Sequence, residues 1–169
     1  MSEALNAPGI SRMKRVASAA LFAVLCGLQT GVANEAWADG MRRETLVLTT
    51  STGRAEISTE IALTPPEQAQ GMMFRTGMAD SDGMLFVYAQ PQVLNMWMHN
   101  TYLSLDMVFV AANGTVVRIE SNAEPLSDRV ISSRSPATAV LELKAGTAQR
   151  LGLKPGDRVE SPSLRTAAP

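Results

Sequence analysis

The stretch that decides the fold reads GMMFRTGMADSDGMLFVYAQPQVLNMWMHNTYLSLD, residues 71–106. It contains the only histidine of the chain, His99, one of the two tryptophans, Trp97, and six of the ten methionines. Its short apolar runs, separated by Gly, Asp, Asn and Pro, are typical of β-strands joined by turns. We expect any chemistry of the protein to lie in or beside this stretch, although it holds no complete catalytic constellation.

The first 38 residues contain, in order, the three regions that are typical of an export signal. Three basic residues up to Arg15 precede an uncharged apolar run, residues 16–28, and Ala36-Trp37-Ala38 supplies the small residues that signal peptidase recognises. The apolar run is too short to span a bilayer comfortably. We therefore predict cleavage after Ala38, a periplasmic or secreted mature protein, and no stable membrane insertion after signal removal.

Removal of residues 1–38 leaves enough chain for one domain and takes away the only cysteine, Cys26. Disulfides, a thiolate nucleophile and a cysteine zinc site are thereby excluded. Of the 15 basic and 16 acidic residues, three and two are lost, which leaves 12 against 14. This charge balance has no basic excess, so we predict no nucleic-acid partner.

The apolar patterning predicts a mainly β fold, an antiparallel sandwich or flattened barrel with one or two short helices. A first hairpin is expected from residues 45–50 and 55–63, where alternate positions are apolar. Further short strands are predicted at residues 84–88, 94–100, 107–111, 115–120, 140–143 and 158–160.

Three connections carry specific turn or cap signals. Thr64-Pro65-Pro66-Glu67 has the composition of a capping box and predicts a short helix that ends at Gly71. Asn113-Gly114 predicts a two-residue hairpin loop with positive φ at both positions. Residues 121–136 are expected to form a long surface loop of the kind that often edges a binding site. A single domain over residues 39–160 would then be followed by a disordered tail, 161–169.

Five sequence blocks resemble the domain of unknown function 192 family. They are GMMFR at 71–75, GMLF at 83–86, WMHNT at 97–101 with LD at 105–106, VLEL at 140–143 with Gly146, and GDRV at 156–159. The resemblance covers roughly residues 46–159, and the family usually has Lys at the position of His99. It implies a small, mainly β domain that is frequently exported and has no established activity.

The methionines raise a soft-metal alternative, because thioethers bind Cu(I). In a strand over residues 94–100, Met96 and Met98 point to one face and His99 to the other. Methionine is also a common core filler, and His99 has no partner at metal-ligand spacing. We therefore predict no metal site and no cofactor, and keep Cu(I) binding as an alternative. Its remaining sulfur ligand would be Met72, Met73 or Met84.

Charged residues inside apolar segments predict either a buried ion pair or a pocket, because an isolated buried charge costs several kcal/mol. In the structural interpretation Arg75 pairs with a carboxylate, Asp106 in preference to Glu142. In the functional interpretation the Arg75 fork binds a carboxylate or phosphate and the face of Trp97 binds a sugar. The candidate ligand-binding residues are Arg75, Trp97, Asn100, Asp106 and Glu142.

Enzyme status and catalytic residues stay open at this point. Asp106 and Glu142 offer the two carboxyl groups that a glycosidase needs. The sequence contains no Gly-rich phosphate loop, nucleophile elbow or metalloprotease helix. The sequence therefore favours an exported protein that binds an unknown small molecule or envelope component. The alternatives are a Cu(I) binder and a hydrolase acting on envelope carbohydrate.

Overall fold

The computed structural model describes residues 40–166, with side chains as far as 165, and these residues form seven strands and three short helices. The predicted signal lies outside the described residues, whereas the predicted mainly β fold is confirmed. The elements are β1 Arg43–Thr50, β2 Gly53–Ala62, α1 Pro65–Gln70, β3 Asp82–Met96, β4 Leu105–Val110, β5 Val116–Ala123, β6 Ile131–Lys144, α2 Thr147–Arg150, β7 Arg158–Glu160 and α3 Pro162–Thr166.

The strands form one sheet in the order β5-β4-β6-β3-β2-β1-β7. The sheet is mixed, because α1 carries the chain across so that β2 and β3 run parallel, and the other paired strands are antiparallel. Its two edges approach each other where Thr115 forms a bridge with Arg158 and the N–H of Val159 donates to Gly114 O at 2.8 Å. The sheet therefore curls into a half-barrel, closer to the predicted barrel than to a sandwich.

Both faces of the sheet are covered, which explains why all six residues of β4 are buried. Successive strand residues face opposite sides, so Leu85 lies in the core inside the barrel and Met84 and Phe86 in the core outside it. The inner core also includes Leu46, Leu48, Ile57, Ile61, Val108, Leu141, Leu143, Val159 and Leu164. The outer core also includes Met72, Leu94, Met98, Leu105, Met107, Phe109, Ile131 and Val140.

The long strand β3 joins two runs that the sequence predicts as separate strands, 84–88 and 94–100. Both runs pair with β6, and register shifts between them allow the strand to bend without breaking. The second run was predicted too long, because β3 ends at Met96 and residues 97–100 leave the sheet.

The surface loop predicted at 121–136 is wrong in extent. Strand β5 continues to Ala123 and β6 begins at Ile131, so the connection spans residues 124–130. The Ser- and Pro-rich composition hid these strands because their polar residues occupy positions at a half-exposed end of the sheet.

The Asn113-Gly114 turn connects β4 and β5 as predicted, but its geometry differs from the prediction. Of the two turn residues, only Gly114 has a positive φ, 82°, whereas positive φ was predicted for both. The N–H of Gly114 donates to Ala111 O, and the N–H of Ala111 donates to Thr115 O, both at 2.9 Å. This pattern belongs to a longer hairpin loop in which the glycine alone takes the left-handed conformation.

The predictions for helix α1 and for the C-terminal tail had different outcomes. The capping box of α1 is confirmed: Thr64 and Glu67 exchange side-chain-to-backbone hydrogen bonds, and Gly71 ends the helix. Of the tail that the sequence predicts as disordered, 161–169, the part Pro162–Thr166 forms α3 instead, and residues 167–169 lie outside the described residues. Helix α3 is ordered because Leu164 is buried in the inner core and the hydroxyl of Ser161 contacts Glu44 on β1.

Within residues 40–166, no helix is both long and apolar enough to cross a membrane.

Candidate functional site

Three glutamates lie in one row across the outer face of the sheet, separated by methionines. Strand register aligns Glu60 with Met84, Met84 with Glu142, Glu142 with Met107, and Met107 with Glu120. Register partners project to the same face, so Glu142 stands between two thioether side chains, both fully buried. The row brings a carboxyl group into the middle of an apolar core.

The outer two glutamates are neutralised by arginines. Glu60 accepts hydrogen bonds from Arg75 and from Arg43, and Glu120 forms ion pairs with Arg118 and Arg129. Arg75 and its hydrogen bond hold the pKa of Glu60 below its usual value, and Arg129 does the same, first among several causes, for the pKa of Glu120. Both carboxylates are therefore charged and satisfied.

Glu142 differs from its two neighbours in the row. Its side chain is 4 % exposed, and in the part of the chain that the structure describes its Oε2 has no hydrogen-bond partner. Burial raises the pKa of Glu142 to about 8, although the positive charge of Arg75 opposes that rise. An unpaired buried carboxyl costs free energy, so its retention in the core calls for a functional explanation.

Glu142 lines a small cavity between the sheet and the segment that follows α1. The cavity has a volume of about 30 Å³, which is room for roughly one water molecule or a single ion. Met72 is buried at its wall, whereas Met73 and Met96 are half-buried and Trp97 is 54 % exposed. The other lining residues are Gln68, Ala69, Gln70, Gly71, Phe86 and Thr101.

The segment from α1 to Met73 is held over the sheet by specific contacts. Gln68 Nε2 donates to the carbonyl oxygen of Val87 at 2.8 Å, which ties α1 to β3. Gly71 has φ 45°, and a Cβ there would lie 3.0 Å from the ring of Phe86, so only glycine allows this approach. The cavity owes its small size to this close packing.

Arg75 pairs with a carboxylate, as predicted, but the partner is Glu60. Arg75 Nη1 lies 2.9 Å from Glu60 Oε1, and Nη2 lies 2.5 Å from Oε2, a bidentate arrangement. The predicted pairing with Asp106 is wrong because register places Asp106 opposite Leu143, on the inner face of the sheet. Sequence reasoning missed Glu60. Alternation along β2 shows which face of the sheet Glu60 is on, but its approach to Arg75 follows only once the strand order is known.

Asp106 is a structural residue of the inner face. It is fully buried, and its two oxygens accept the backbone N–H groups of Asn122 and Ala148, each at 2.9 Å. Asp106 and Glu142 therefore face opposite sides of the same sheet. They do not flank one site, as the two carboxyl groups of a glycosidase must.

Trp97 separates the cavity from a neighbouring open groove of about 260 Å³, lined by Asn95, Met96, Trp97 and Val130. Its indole ring lies 5.4 Å from the ring of His99, centroid to centroid. His99 Nδ1 lies 2.7 Å from Asp128 Oδ1, and both side chains are exposed. Trp97 thus lines both the cavity and the groove, and about half of its surface is exposed to solvent.

Asn100 supports the site through its backbone. It has φ 51°, and its carbonyl oxygen accepts the N–H of Phe74 at 2.9 Å. Phe74 itself has φ 63° and is 60 % exposed, with its ring 6.3 Å from that of Tyr102. A bulky residue in this region of φ is strained, and such strain concentrates at functional sites.

Of the five candidate residues, the structure brings Trp97 and Glu142 to one cavity and Arg75 close to it. Asn100 contributes a backbone contact, and Asp106 lies on the other face. Sequence reasoning did not group Met72, Met73 and Met96 with Glu142, because the first two reach the cavity from a segment outside the sheet. Among the described residues, no group of three or more His, Cys, Asp or Glu side chains is placed to hold a metal ion.

Comparison with known proteins gives a family and two similar structures. The family model DUF192, described as an uncharacterized ACR, matches residues 47–161. A "putative transcription regulator" from Sinorhizobium meliloti 1021 is 45% identical with a TM-score of 0.70, over 72% of this chain and 95% of that one. A protein of unknown function from Novosphingobium aromaticivorans DSM 12444 is 40% identical, also with a TM-score of 0.70, over 72% of this chain and 86% of that one. No curated protein matches. The chain therefore belongs to the DUF192 family.

Proposed function

We propose that this protein is an exported ligand-binding protein of the cell envelope, and that its ligand presents a cation or a hydrogen-bond donor to Glu142 in the cavity beside Trp97. One observation carries the proposal: of the three glutamates in the row, only Glu142 lacks an arginine bonded to it, and it is the one that lines a cavity. A ligand with a positive or donating group would satisfy the carboxyl oxygen that the protein leaves unpaired.

The surroundings of Glu142 favour binding over catalysis. The cavity is lined by Met, Phe and Trp side chains together with Gln68, Gln70 and Thr101, and Glu142 is the only ionisable residue among those that line it. Hydrolysis of a glycosidic bond needs two carboxyl groups on either side of that bond, and Asp106 faces away. A hydrolase is therefore not part of the proposal.

Export is the second part of the proposal. It rests on the basic, apolar and small-residue order of the first 38 residues. The description of the S. meliloti protein as a transcription regulator is not extended to this chain, because DNA binding draws on a surplus of basic residues and this chain has 15 basic against 16 acidic.

The test is native mass spectrometry of the protein isolated from the periplasm or medium of its own host. We expect a mature chain that begins near Asp39 and carries a bound mass, which denaturing conditions release. Glu142→Gln and Trp97→Ala should lose that mass, whereas Glu56→Gln, which neutralises an exposed carboxylate on β2, should keep it. A bare wild-type chain, or a full-length chain that stays inside the cell, would refute the corresponding part of the proposal.

A further inference from the structure

The walls of the Glu142 cavity are unusually rich in sulfur. Met72, Met73 and Met96 all line it, and two further thioethers, Met84 and Met107, flank Glu142 on the neighbouring strands. Thioethers are poor partners for an ammonium or hydroxyl group but good ligands for soft metal ions such as Cu(I). The sulfur atoms therefore favour a soft metal ion over an organic ammonium as the cation bound in the cavity.

The charge of the cavity selects a monovalent ion. Its single carboxyl group gives up its proton as the ion binds and then balances one positive charge, and the Arg75 guanidinium nearby already has Glu60 as its partner. The charge of a divalent ion would be only half compensated, because no second ionisable residue lines the cavity, and that is costly for a buried ion. Zinc sites also require three or four Cys thiolate, His nitrogen or Asp and Glu oxygen ligands, and of these residue types the cavity offers only Glu142.

The volume agrees with this choice. A cavity of about 30 Å³ admits a single ion but not a drug-sized organic molecule. Met73 and Met96 are half-buried, whereas Met72 and Glu142 are buried, so the cavity wall includes flexible thioether side chains that are partly accessible to solvent.

We infer that the ligand of this cavity is a soft monovalent metal ion, Cu(I) in the cell, held by thioethers of Met72, Met73 and Met96 with the carboxylate of Glu142. The inference rests on the proposed function, because it names the ligand class of the same site. The ligand set differs from that of the Cu(I) alternative in the sequence analysis, which paired Met96 with Met98 on one face of a strand. Met98 packs in the outer core and does not line the cavity, whereas Met72 and Met73 reach it from the segment after α1.

The test uses the full-length chain with Cys26→Ser, which removes the only thiol, and Ag(I), which is soft, monovalent and stable in air, followed by Cu(I) kept reduced with ascorbate. Replacement of Trp37 by Phe leaves Trp97 as the only tryptophan, so its fluorescence reports on the cavity. We expect one ion per chain, bound with a Kd below about 1 µM and with quenching of Trp97. Zn²⁺ and n-butylammonium should not compete.

Variants then locate the ion. Met→Leu substitutions nearly conserve volume, so the triple variant Met72→Leu, Met73→Leu, Met96→Leu should fold and bind Ag(I) at least ~100-fold more weakly. Met78→Leu is the matched control, because this methionine packs against the same core without lining the cavity, and its affinity should stay within about twofold. Glu142→Gln, which keeps the size of the side chain but cannot supply a carboxylate, should weaken binding about tenfold or more and decides the matter if the triple variant does not fold.

Two results would overturn the inference: a folded wild-type chain that does not bind Ag(I), or equal affinity in the wild type and the variants. The first result, together with a retained organic mass that depends on Glu142 in the native protein, would leave the proposed function intact and remove only the metal. A retained mass of one copper ion would support both.

Discussion

Arg75 and Glu60 form a bidentate ion pair that fastens the segment after α1 to strand β2, with N–O distances of 2.9 and 2.5 Å. The side chains are 35% and 15% exposed, respectively. The pair holds in place the same segment that contributes Met72 and Met73 to the cavity wall. The free energy of this one contact is therefore linked to the shape of the site.

The first prediction concerns that pair. Arg75→Met should destabilise the protein by about 1–3 kcal/mol, because it leaves Glu60 with only the more exposed Arg43 as a partner. Adding Glu60→Gln should recover part of the loss, and a double-mutant cycle in urea measures the coupling. Arg75→Met with Asp106→Asn is the control pair and should be additive. Additive losses for Arg75 and Glu60 would contradict the contact.

The second prediction is a pH dependence of stability set by Glu142. Its pKa is about 8 in the folded protein and 4.5 ordinarily, so between these values the folded state holds a proton that the unfolded state has released. The stabilising contribution of protonated Glu142 to the free energy of unfolding should therefore be fully present below pH 4.5. It should fall as the pH rises towards 8, by up to about 4 kcal/mol.

Urea denaturation at pH 5, 6, 7 and 8 measures this slope. Glu142→Gln should remove it, and the difference between the two proteins cancels every other titrating group. Parallel stability curves for the wild type and Glu142→Gln would show that Glu142 titrates normally.

The third prediction concerns Asp106. Asp106→Ala should destabilise the protein by about 2–4 kcal/mol, because the N–H groups of Asn122 and Ala148 lose their acceptor inside the protein. Asp128→Ala is the control, since that carboxylate is exposed and its loss should cost less than about 1 kcal/mol. Thermal unfolding followed by circular dichroism compares the two. Similar melting temperatures for both variants would place Asp106 at the surface.

The fourth prediction concerns closure of the half-barrel. Gly114 and Gly146 have nearly the same φ, 82° and 83°, but a Cβ on Gly114 would lie 2.7 Å from Val159 O while a Cβ on Gly146 meets nothing within 4 Å. Gly146→Ala should cost about 1 kcal/mol for backbone strain alone. Gly114→Ala should cost at least about 1 kcal/mol more, because the contact between β7 and the β4–β5 turn must open. Equal losses in chemical denaturation would argue against close packing at this seam.

Much of the local structure followed from neighbouring residues. The capping box at Thr64 and the turn at Asn113-Gly114 were visible because their hydrogen bonds join groups a few residues apart. The positive φ of Gly114 was predicted correctly and that of Asn113 was not, and the sequence also did not show that this turn pairs with Val159, 45 residues further along the chain. The order of α3 likewise depends on Glu44, at the other end of the domain.

The sequence by itself determined the mainly β class, the family, the export signal as a prediction, and Trp97 and Glu142 as residues of interest. Alternation of apolar and polar residues encodes which side chains share a face, but it does not encode which strands become neighbours. Only the tertiary structure decided that Glu142 lies between Met84 and Met107, that Arg75 binds Glu60, and that Asp106 faces away. The reason is that a carboxyl group is paired or left unpaired according to the partners that strand order and register place beside it, and those partners come from distant parts of the chain.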